Sequence, residues 1–246
     1  MRRTTSIYGQ VLRTYARWAP SLVVLAAIVF VPLGLIHALT LSVDVGSPDF
    51  GGAVKILAVV GALAALTVTG LLGEVFYTGA VAISLTHPHD GHPPSLREIA
   101  GMVAYRRLIA VDVVYGLLVT AGLLLVVAPG AAAFVYFGLA APVVEIEGRG
   151  VRAAFTRSFQ LIRGSFWAAL ALLVPIELAG DALTHLATSA AHDLLGESLL
   201  AKWLADTLAN VAFTPFYAVA AVLLTVDLIH RKDGAGPALH SEPVRA

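Results

Sequence analysis

The feature that most constrains this chain is a series of apolar runs, each about long enough to cross a lipid bilayer. A membrane-spanning helix needs about 20 mostly apolar residues, because each residue adds about 1.5 Å along the helix axis. The runs cover residues 19–41, 53–85, 108–128, 131–146, 165–186 and 203–229. The sequence therefore predicts an all-α polytopic membrane protein with six transmembrane helices. The Pro129-Gly130 pair predicts a tight hairpin turn between the third and fourth of them.

Composition agrees with this class. Hydrophobic residues make up 58% of the 246 residues and charged residues only 13%, whereas a soluble domain carries about 25% charged residues. The formal net charge is zero, so no nucleic-acid partner is expected. The chain has no cysteine, which excludes a disulfide framework, a thiolate nucleophile and a cysteine-ligated metal site.

Basic residues lie almost entirely on one side of the predicted membrane. All of the 16 Lys and Arg residues except Lys55 and Lys202 fall in the N-terminal segment, the second and fourth loops and the C-terminal tail. Cytoplasmic segments of membrane proteins carry such an excess, so both termini are predicted to be cytoplasmic. An even number of spans preserves this asymmetry, which favours six.

Three basic segments carry an apolar stripe at helical spacing just before a span, at about 7–18, 96–103 and 151–162. They predict cytoplasmic interfacial amphipathic helices, each followed by a helical hairpin. The predicted single membrane domain covers 1–230, with a three-fold repeat of units at about 5–86, 94–147 and 150–230. The alternative is that any cytoplasmic loop of a membrane protein tends to be basic and amphipathic. Residues 231–246 have the composition of a flexible cytoplasmic tail.

The third basic segment is the clearest of the three. Val151, Phe155, Phe159 and Ile162 share one face of the predicted helix. Four residues are candidates for contacts with lipid headgroups or with the membrane interface: Arg152, Arg157, Arg163 and Trp167. The alternative is that the arginines only signal topology.

The same region carries a family-like motif. After an acidic span end and a short glycine turn, the pattern consists of Ala154, Arg157, Ser158, Leu161, Gly164, Phe166 and Trp167. This run resembles a family of bacterial six-helix proteins known as the membrane domain of glycerophosphoryl diester phosphodiesterases. The stretch 214–231 is similar to that family's final helix, although residues 225–229 lack the two tyrosines and the first arginine of the family's Tyr-Tyr-Asp-Leu-Arg-like end. The resemblance implies a stand-alone membrane module in the bacterial cytoplasmic membrane, without the soluble catalytic barrel.

Glu74 is the acidic residue placed deepest within a predicted span. Gly70, Gly73 and Gly79 nearby would let another helix approach closely. Charge at the centre of a bilayer costs roughly 2.5–3.5 kcal/mol on insertion scales, so Glu74 is expected to face the bundle interior. It is either a carboxyl linked to a proton or a substrate, or a structural residue that is protonated or paired.

Two polar rows lie toward the predicted outer ends of the last two spans. Glu177 and Asp181 are four residues apart, and so are Asp206 and Asn210, so each pair shares a helix face. The rows either line one outward-facing polar cavity or are solvated helix ends.

The remaining polar candidates are structural. Asp112 is expected either to pair with Arg107 or Arg106 or to be favoured by the helix dipole near the helix N-terminus, and Asp227 is expected to pair with Arg231. The tract HPHDGHPP offers three histidines as a weak metal site, although its prolines favour a flexible turn. The histidines are His87, His89 and His92.

No HExxH, GxSxG, Walker or GxGxxG motif occurs in the sequence. We therefore expect no enzymatic activity and no cofactor. The leading hypothesis is a membrane module that binds a lipid or an amphipathic ligand, or supports a complex with a protein partner or another copy of itself. The alternative is a transporter or channel subunit that uses Glu74 and the two outer polar rows.

Overall fold

The computed structural model describes residues 2–42, 73–87, 94–196 and 198–234. Side chains are described for the same residues except 2–6, 36–42, 195, 202 and 206. The described ranges form helices and short connections, with no β-strand among them. The helices are α1 (Arg2–Ser42), α2 (73–86 in its described part), α3 (Leu96–Met102), α4 (Tyr105–Leu125), α5 (Val127–Phe137), α6 (Ala140–Glu147), α7 (Val151–Ile162), α8 (Phe166–Leu195) and α9 (Leu199–Asp233).

Five helical stretches are long and apolar enough to cross a membrane. They are Ile7–Leu35, Tyr105–Leu125, Val127–Glu147, Phe166–Leu194 and Leu199–Asp233. The predicted class, an all-α protein that crosses the membrane several times, is therefore confirmed. The predicted span 53–85 lies mostly outside the described residues, with α2 as its described part, so the count of six spans stays a prediction.

Helix α1 differs from its expected form. The sequence predicted an interfacial helix ending near Arg17 and a separate span after it, but one helix runs from Arg2 to Ser42 through Pro20. The buried residues Val11, Thr14, Trp18 and Leu22 follow each other at intervals of three or four residues. These buried residues keep the same helical phase on both sides of Arg17, so one continuous helix places all of them on a single buried face. The first predicted unit thus has no separate interfacial helix.

The long helices α1, α8 and α9 pack side by side. The hydroxyl of Tyr8 donates a hydrogen bond of 2.7 Å to the carbonyl of Ala171 on α8. At the other end of α1, the indole of Trp203 on α9 donates to the carbonyl of Val31 over 3.0 Å. Helix α2 lies on α1, where the fully buried Tyr77 donates to the carbonyl of Leu22 over 2.8 Å.

The turn between α4 and α5 lies earlier than predicted. Val126 is the extended residue between the helices, whereas the expected turn at Pro129-Gly130 falls within the first turns of α5. Proline is tolerated there because the first amide groups of a helix have no intrahelical acceptor. Gly122 and Gly130 meet across the hairpin, since a Cβ added to Gly122 would lie 2.8 Å from the Cα atom of Gly130.

The fourth predicted span is interrupted. Helix α5 ends at Phe137 and α6 begins at Ala140, with Gly138 and Leu139 in a turn between them. A Cβ added to Gly138 would lie 2.8 Å from the carbonyl oxygen of Phe134. The glycine therefore permits a break inside a stretch that is otherwise long enough to span the membrane.

One end of the bundle gathers the basic residues. Arg107 at the start of α4 donates a 2.9 Å hydrogen bond to the carbonyl of Gly148 after α6. Lys232 at the end of α9 donates to the carbonyls of Gln160 and Arg163 around the end of α7. These contacts define the basic end of the molecule, and α7 lies across it. Arg107 and Lys232 thus lie at one end of the bundle, whereas the side of the membrane that this end faces stays a prediction.

Candidate functional site

Three acidic side chains lie within the long apolar helices: Glu74 on α2, Asp112 on α4 and Glu177 on α8. Glu74 lines a small cavity together with Val111, the neighbour of Asp112 on α4. Glu177, another predicted pathway residue, is not among the residues that line this cavity.

Glu74 and Glu177 lie well inside their helices. Glu74 is 12 residues from the end of α2 at residue 86, a rise of about 18 Å. Glu177 is 11 residues into α8, a rise of about 16 Å. Each rise is about half of the roughly 30 Å hydrocarbon thickness of a bilayer. The expectation that Glu177 lies toward the outer end of its span stays a prediction.

The expected pairing of Asp112 with Arg107 is wrong. The Asp112 side chain is 3% exposed, and neither of its carboxylate oxygens has a hydrogen-bond partner in the described part of the chain. Arg107 bonds the carbonyl of Gly148 instead. Asp112 is about two turns into α4, and its side chain is buried in the bundle, which separates it from the basic end.

Two tyrosines lie beside Glu74. The hydroxyl of Tyr115 on α4 donates a 3.4 Å hydrogen bond to the carbonyl of Phe134 on α5, and the Tyr217 ring on α9 packs against the Phe134 ring at 6.1 Å. Both tyrosines line the same small cavity as Glu74, next to Gly138 at the break between α5 and α6. The cavity offers about 10 Å³ to the centre of a water molecule, which is room for about one water. The site therefore combines the Glu74 carboxyl, two hydroxyls and an interrupted helix.

The other residues of the two polar rows either do not line the cavity beside Glu74 or have side chains outside the described part of the chain. Asp181 is exposed on α8. Asn210 accepts a hydrogen bond of 3.4 Å from the hydroxyl of Thr214. The side chain of Asp206 lies outside the described residues, so the cavity predicted between the two rows stays a prediction.

Arg157 is a structural residue at the basic end. Its Nε atom donates to Glu147 over 2.9 Å, and its Nη2 atom forms an ion pair with Asp233 at the end of α9. Burial lowers the pKa of the Arg157 guanidinium, but the hydrogen bonds that it donates to Asp233 and Glu147 outweigh burial and raise that pKa above its ordinary value. Both observed partners of Arg157 are carboxylates of this chain, so a structural role is present, and its predicted contact with a lipid headgroup stays a prediction.

The apolar side of α7 faces protein. Ala154, Ser158 and Leu161 are buried, and the ring of Phe155 packs edge-on against Phe137 of α5 at 5.4 Å. Arg152 and Arg163 are exposed, and their predicted contact with lipid headgroups stays a prediction. Trp167 is 78% exposed at the start of α8, as an interface residue would be.

The remaining polar candidates are placed as follows. Arg231 Nε donates to Asp227 Oδ1 over 3.0 Å, so the predicted pair is present. The His87 ring contacts the hydroxyl of Thr86 at 3.0 Å, whereas His89 and His92 lie outside the described residues. Within the described ranges, no group of three His, Asp or Glu side chains is arranged to hold a metal ion.

A groove between α1, α2, α3 and α4 has no counterpart in the sequence predictions. Its volume is about 480 Å³, and its walls are apolar. The rim includes Ile28 and Ile109, which are about half exposed, and Phe76 packs against Tyr105 at 5.6 Å. A second cavity of about 370 Å³ shares Leu96 and Ile99 with it. Apolar residues at helical spacing are predicted to be buried. The sequence pattern therefore does not indicate that these side chains line an open groove.

Comparison with protein-family models, curated proteins and solved structures finds no match to this chain. The resemblance to the membrane domain of glycerophosphoryl diester phosphodiesterases therefore stays a prediction, and the function is argued from the geometry.

Proposed function

We propose that this chain is a non-enzymatic membrane module that binds the acyl chain of a lipid or of another amphipathic molecule in the groove between α1 and α4. One observation carries the proposal, namely a groove of about 480 Å³ with apolar walls. Ligand sites of about 300–1,000 Å³ lined mainly by apolar side chains are typical of proteins that bind small molecules.

The position of α3 supports an amphipathic ligand. Leu96, Ile99 and Ala100 of this short helix line the groove. The start of α3 is fixed by a capping box, in which Ser95 and Glu98 satisfy each other's backbone amides. Arg97 and Glu98 are exposed on the same helix. A ligand with an apolar tail and a polar head would thus meet an apolar wall and then charged side chains.

Filling the groove tests this function. We expect Ala100→Trp to reduce the lipid that remains bound after detergent purification at least tenfold, because the indole would occupy the space of the tail. Native mass spectrometry measures the bound lipid. Ala121→Trp is the matched control, since Ala121 is exposed on α4 and does not line the groove. Equal lipid retention by both variants would contradict the proposal.

A second candidate function, a transporter or channel subunit, is favoured by the break between α5 and α6 beside Glu74. Interrupted membrane helices often form substrate and ion sites near the midplane of transporters. A transport path needs a continuous polar route, whereas the cavity at Glu74 holds about one water molecule. The groove therefore supports lipid binding better.

We also propose that the basic end faces the cytoplasm of a bacterial cell. The support is the positive-inside rule applied to Arg107, Arg157 and Lys232, which meet at that end. Because the chain has no cysteine, a single cysteine substitution introduces one reactive thiol at a known position. Labelling of that thiol reports which side of the membrane the position faces. In intact cells, we expect a water-soluble maleimide to label Asp193→Cys at once and Arg152→Cys only after permeabilisation. Labelling in the reverse order would invert this orientation.

A further inference from the structure

The second cavity and the groove follow each other along α1. Trp18 to Leu25 include the residues of α1 that line the second cavity, and the groove is lined by residues from Leu25 to Leu33. Both cavities also share Leu96 and Ile99 of α3, so they are adjacent parts of one site. The second cavity is thus next to the basic N-terminal part of α1, and the groove lies deeper in the apolar run 19–41.

Three serines line the second cavity, whereas none lines the groove in the described part of the chain. They are Ser21 on α1, Ser84 on α2 and Ser95 at the start of α3. The hydroxyls of Ser84 and Ser95 donate within the chain, to Ala80 and Glu98. Ser21 is exposed, and its hydroxyl can donate to a ligand. The second cavity is therefore the polar part of the site, and the groove is its apolar part.

Trp18 adds a hydrogen-bond donor that lacks an acceptor. The residue is 5% exposed and lines the second cavity, and its indole N–H has no hydrogen-bond partner among the residues that the structure describes. A buried donor without a partner costs free energy. Because the indole nitrogen can only donate, the group that satisfies it must be an acceptor, such as a phosphate or ester oxygen.

Two arginines lie next to the second cavity. Arg17 is exposed and precedes Ser21 by four residues, so both lie on one face of α1. Arg97 is exposed on α3, directly after a residue that lines both cavities. The acidic neighbour of Arg97, Glu98, is engaged at the start of α3, where its Oε2 atom accepts a 2.7 Å hydrogen bond from the amide of Ser95. The charges beside the cavity therefore favour an anionic group.

We propose that the ligand of this site is an anionic glycerophospholipid, with its phosphate in the second cavity and an acyl chain in the groove. The inference rests on the lipid binding proposed above and adds the choice of headgroup. Trp18 and Ser21 donate to the oxygens of the phosphate and the esters, and Arg17 and Arg97 balance the negative charge. A zwitterionic headgroup carries an ammonium, which the arginines repel.

Competition between two phospholipids with the same acyl chains tests this choice. The full-length protein is reconstituted in vesicles of equal phosphatidylglycerol and phosphatidylethanolamine and extracted into detergent, and native mass spectrometry measures the lipid that stays bound. We expect phosphatidylglycerol to be favoured by about fivefold or more, the effect of one basic residue near an anionic lipid. The double variant Arg17→Gln with Arg97→Gln should bring the ratio close to one.

Two controls accompany the double variant. Arg152→Gln removes an exposed arginine of α7 that lines neither cavity, so it should keep the wild-type ratio. Arg17→Lys with Arg97→Lys retains both charges and should keep the preference, which separates loss of charge from damage to the fold.

The outcomes distinguish this inference from the proposed function. Ala100→Trp should lose both lipids, whereas the double glutamine variant should lose only the preference and keep the total amount bound. A wild-type protein that retains both lipids equally, or a preference that the glutamine variant keeps, would overturn the choice of an anionic headgroup and leave lipid binding in the groove intact. A wild-type protein that retains neither lipid would contradict both.

Discussion

Arg157→Ala should lower the free energy of unfolding by about 3 kcal/mol. Removing one partner of a largely buried ion pair leaves an uncompensated charge, which typically costs about 3–5 kcal/mol. The side chains of Arg157 and Glu147 are only 12% and 15% exposed. Arg157 also joins α7 to the end of α9 through Asp233, so two connections are lost at once. Denaturant unfolding of the protein in detergent micelles measures the change.

Arg149→Ala is the matched control for this prediction. Arg149 pairs with the same Glu147, but its side chain is 43% exposed. Water screens a pair at that exposure, so its loss should cost less than about 1 kcal/mol. If both alanine variants unfold at the same denaturant concentration, the Arg157 contacts do not stabilise the basic end as described.

Gly122→Ala should destabilise the hairpin of α4 and α5 by about 2 kcal/mol. The new methyl carbon would lie 2.8 Å from both the Cα and the amide nitrogen of Gly130. These are backbone atoms, so relief requires the two helices to separate and not merely a side chain to rotate. Overpacking of this kind typically costs about 1–3 kcal/mol. The same unfolding assay measures it.

Gly101→Ala separates this steric effect from the general effect of adding a methyl group. Gly101 lies in helix α3, and no atom lies within 4 Å of a Cβ added to it. Alanine also favours helix by up to about 1 kcal/mol over glycine. We therefore expect no loss of stability. A Gly122→Ala variant as stable as Gly101→Ala would show that α4 and α5 are not held as closely as described.

The sequence predicted the features that depend on local composition. The length of the apolar runs predicts the membrane-spanning helices. The concentration of Lys and Arg in the segments on one side of the predicted membrane predicts the basic end. The pairing of Asp227 with Arg231 follows from their spacing on one helix. Such features need no knowledge of which helices are neighbours.

The candidate site was only partly predictable. Glu74 and Glu177 stand out because a carboxyl in an apolar run needs an explanation. Where Glu74, Asp112 and Glu177 lie relative to one another depends on how α2, α4 and α8 pack, which the periodicity of the sequence does not specify. Asp112 was misassigned because Arg107 is close to it in sequence, although the α-helix rotation turns the two side chains in different directions.

The basic end shows the same limit. The pattern of α7 correctly separates Arg152 from the apolar residues, but it does not distinguish lipid from protein as the partner of the apolar side. The ion pair of Arg157 with Asp233 was not predicted, because Asp233 lies at the far end of the sequence. The sequence did not predict that α1 is continuous, because a basic segment before an apolar run suggests that one helix ends and another begins. The common helical phase of the buried residues of α1 shows that the helix does not end there.

The unequal helix lengths have a consequence for the side opposite the basic end. Helices α8 and α9 have 30 and 35 residues against 21 for α4, so they are about 14 to 21 Å longer at 1.5 Å per residue. Since the basic ends of α4 and α9 lie together, much of this excess lies on the other side, where Trp203 of α9 packs against α1. His192 and Asp193, next to the turn near Gly196, are exposed there. The connection between α8 and α9 is therefore set apart from the basic end by the whole length of α8.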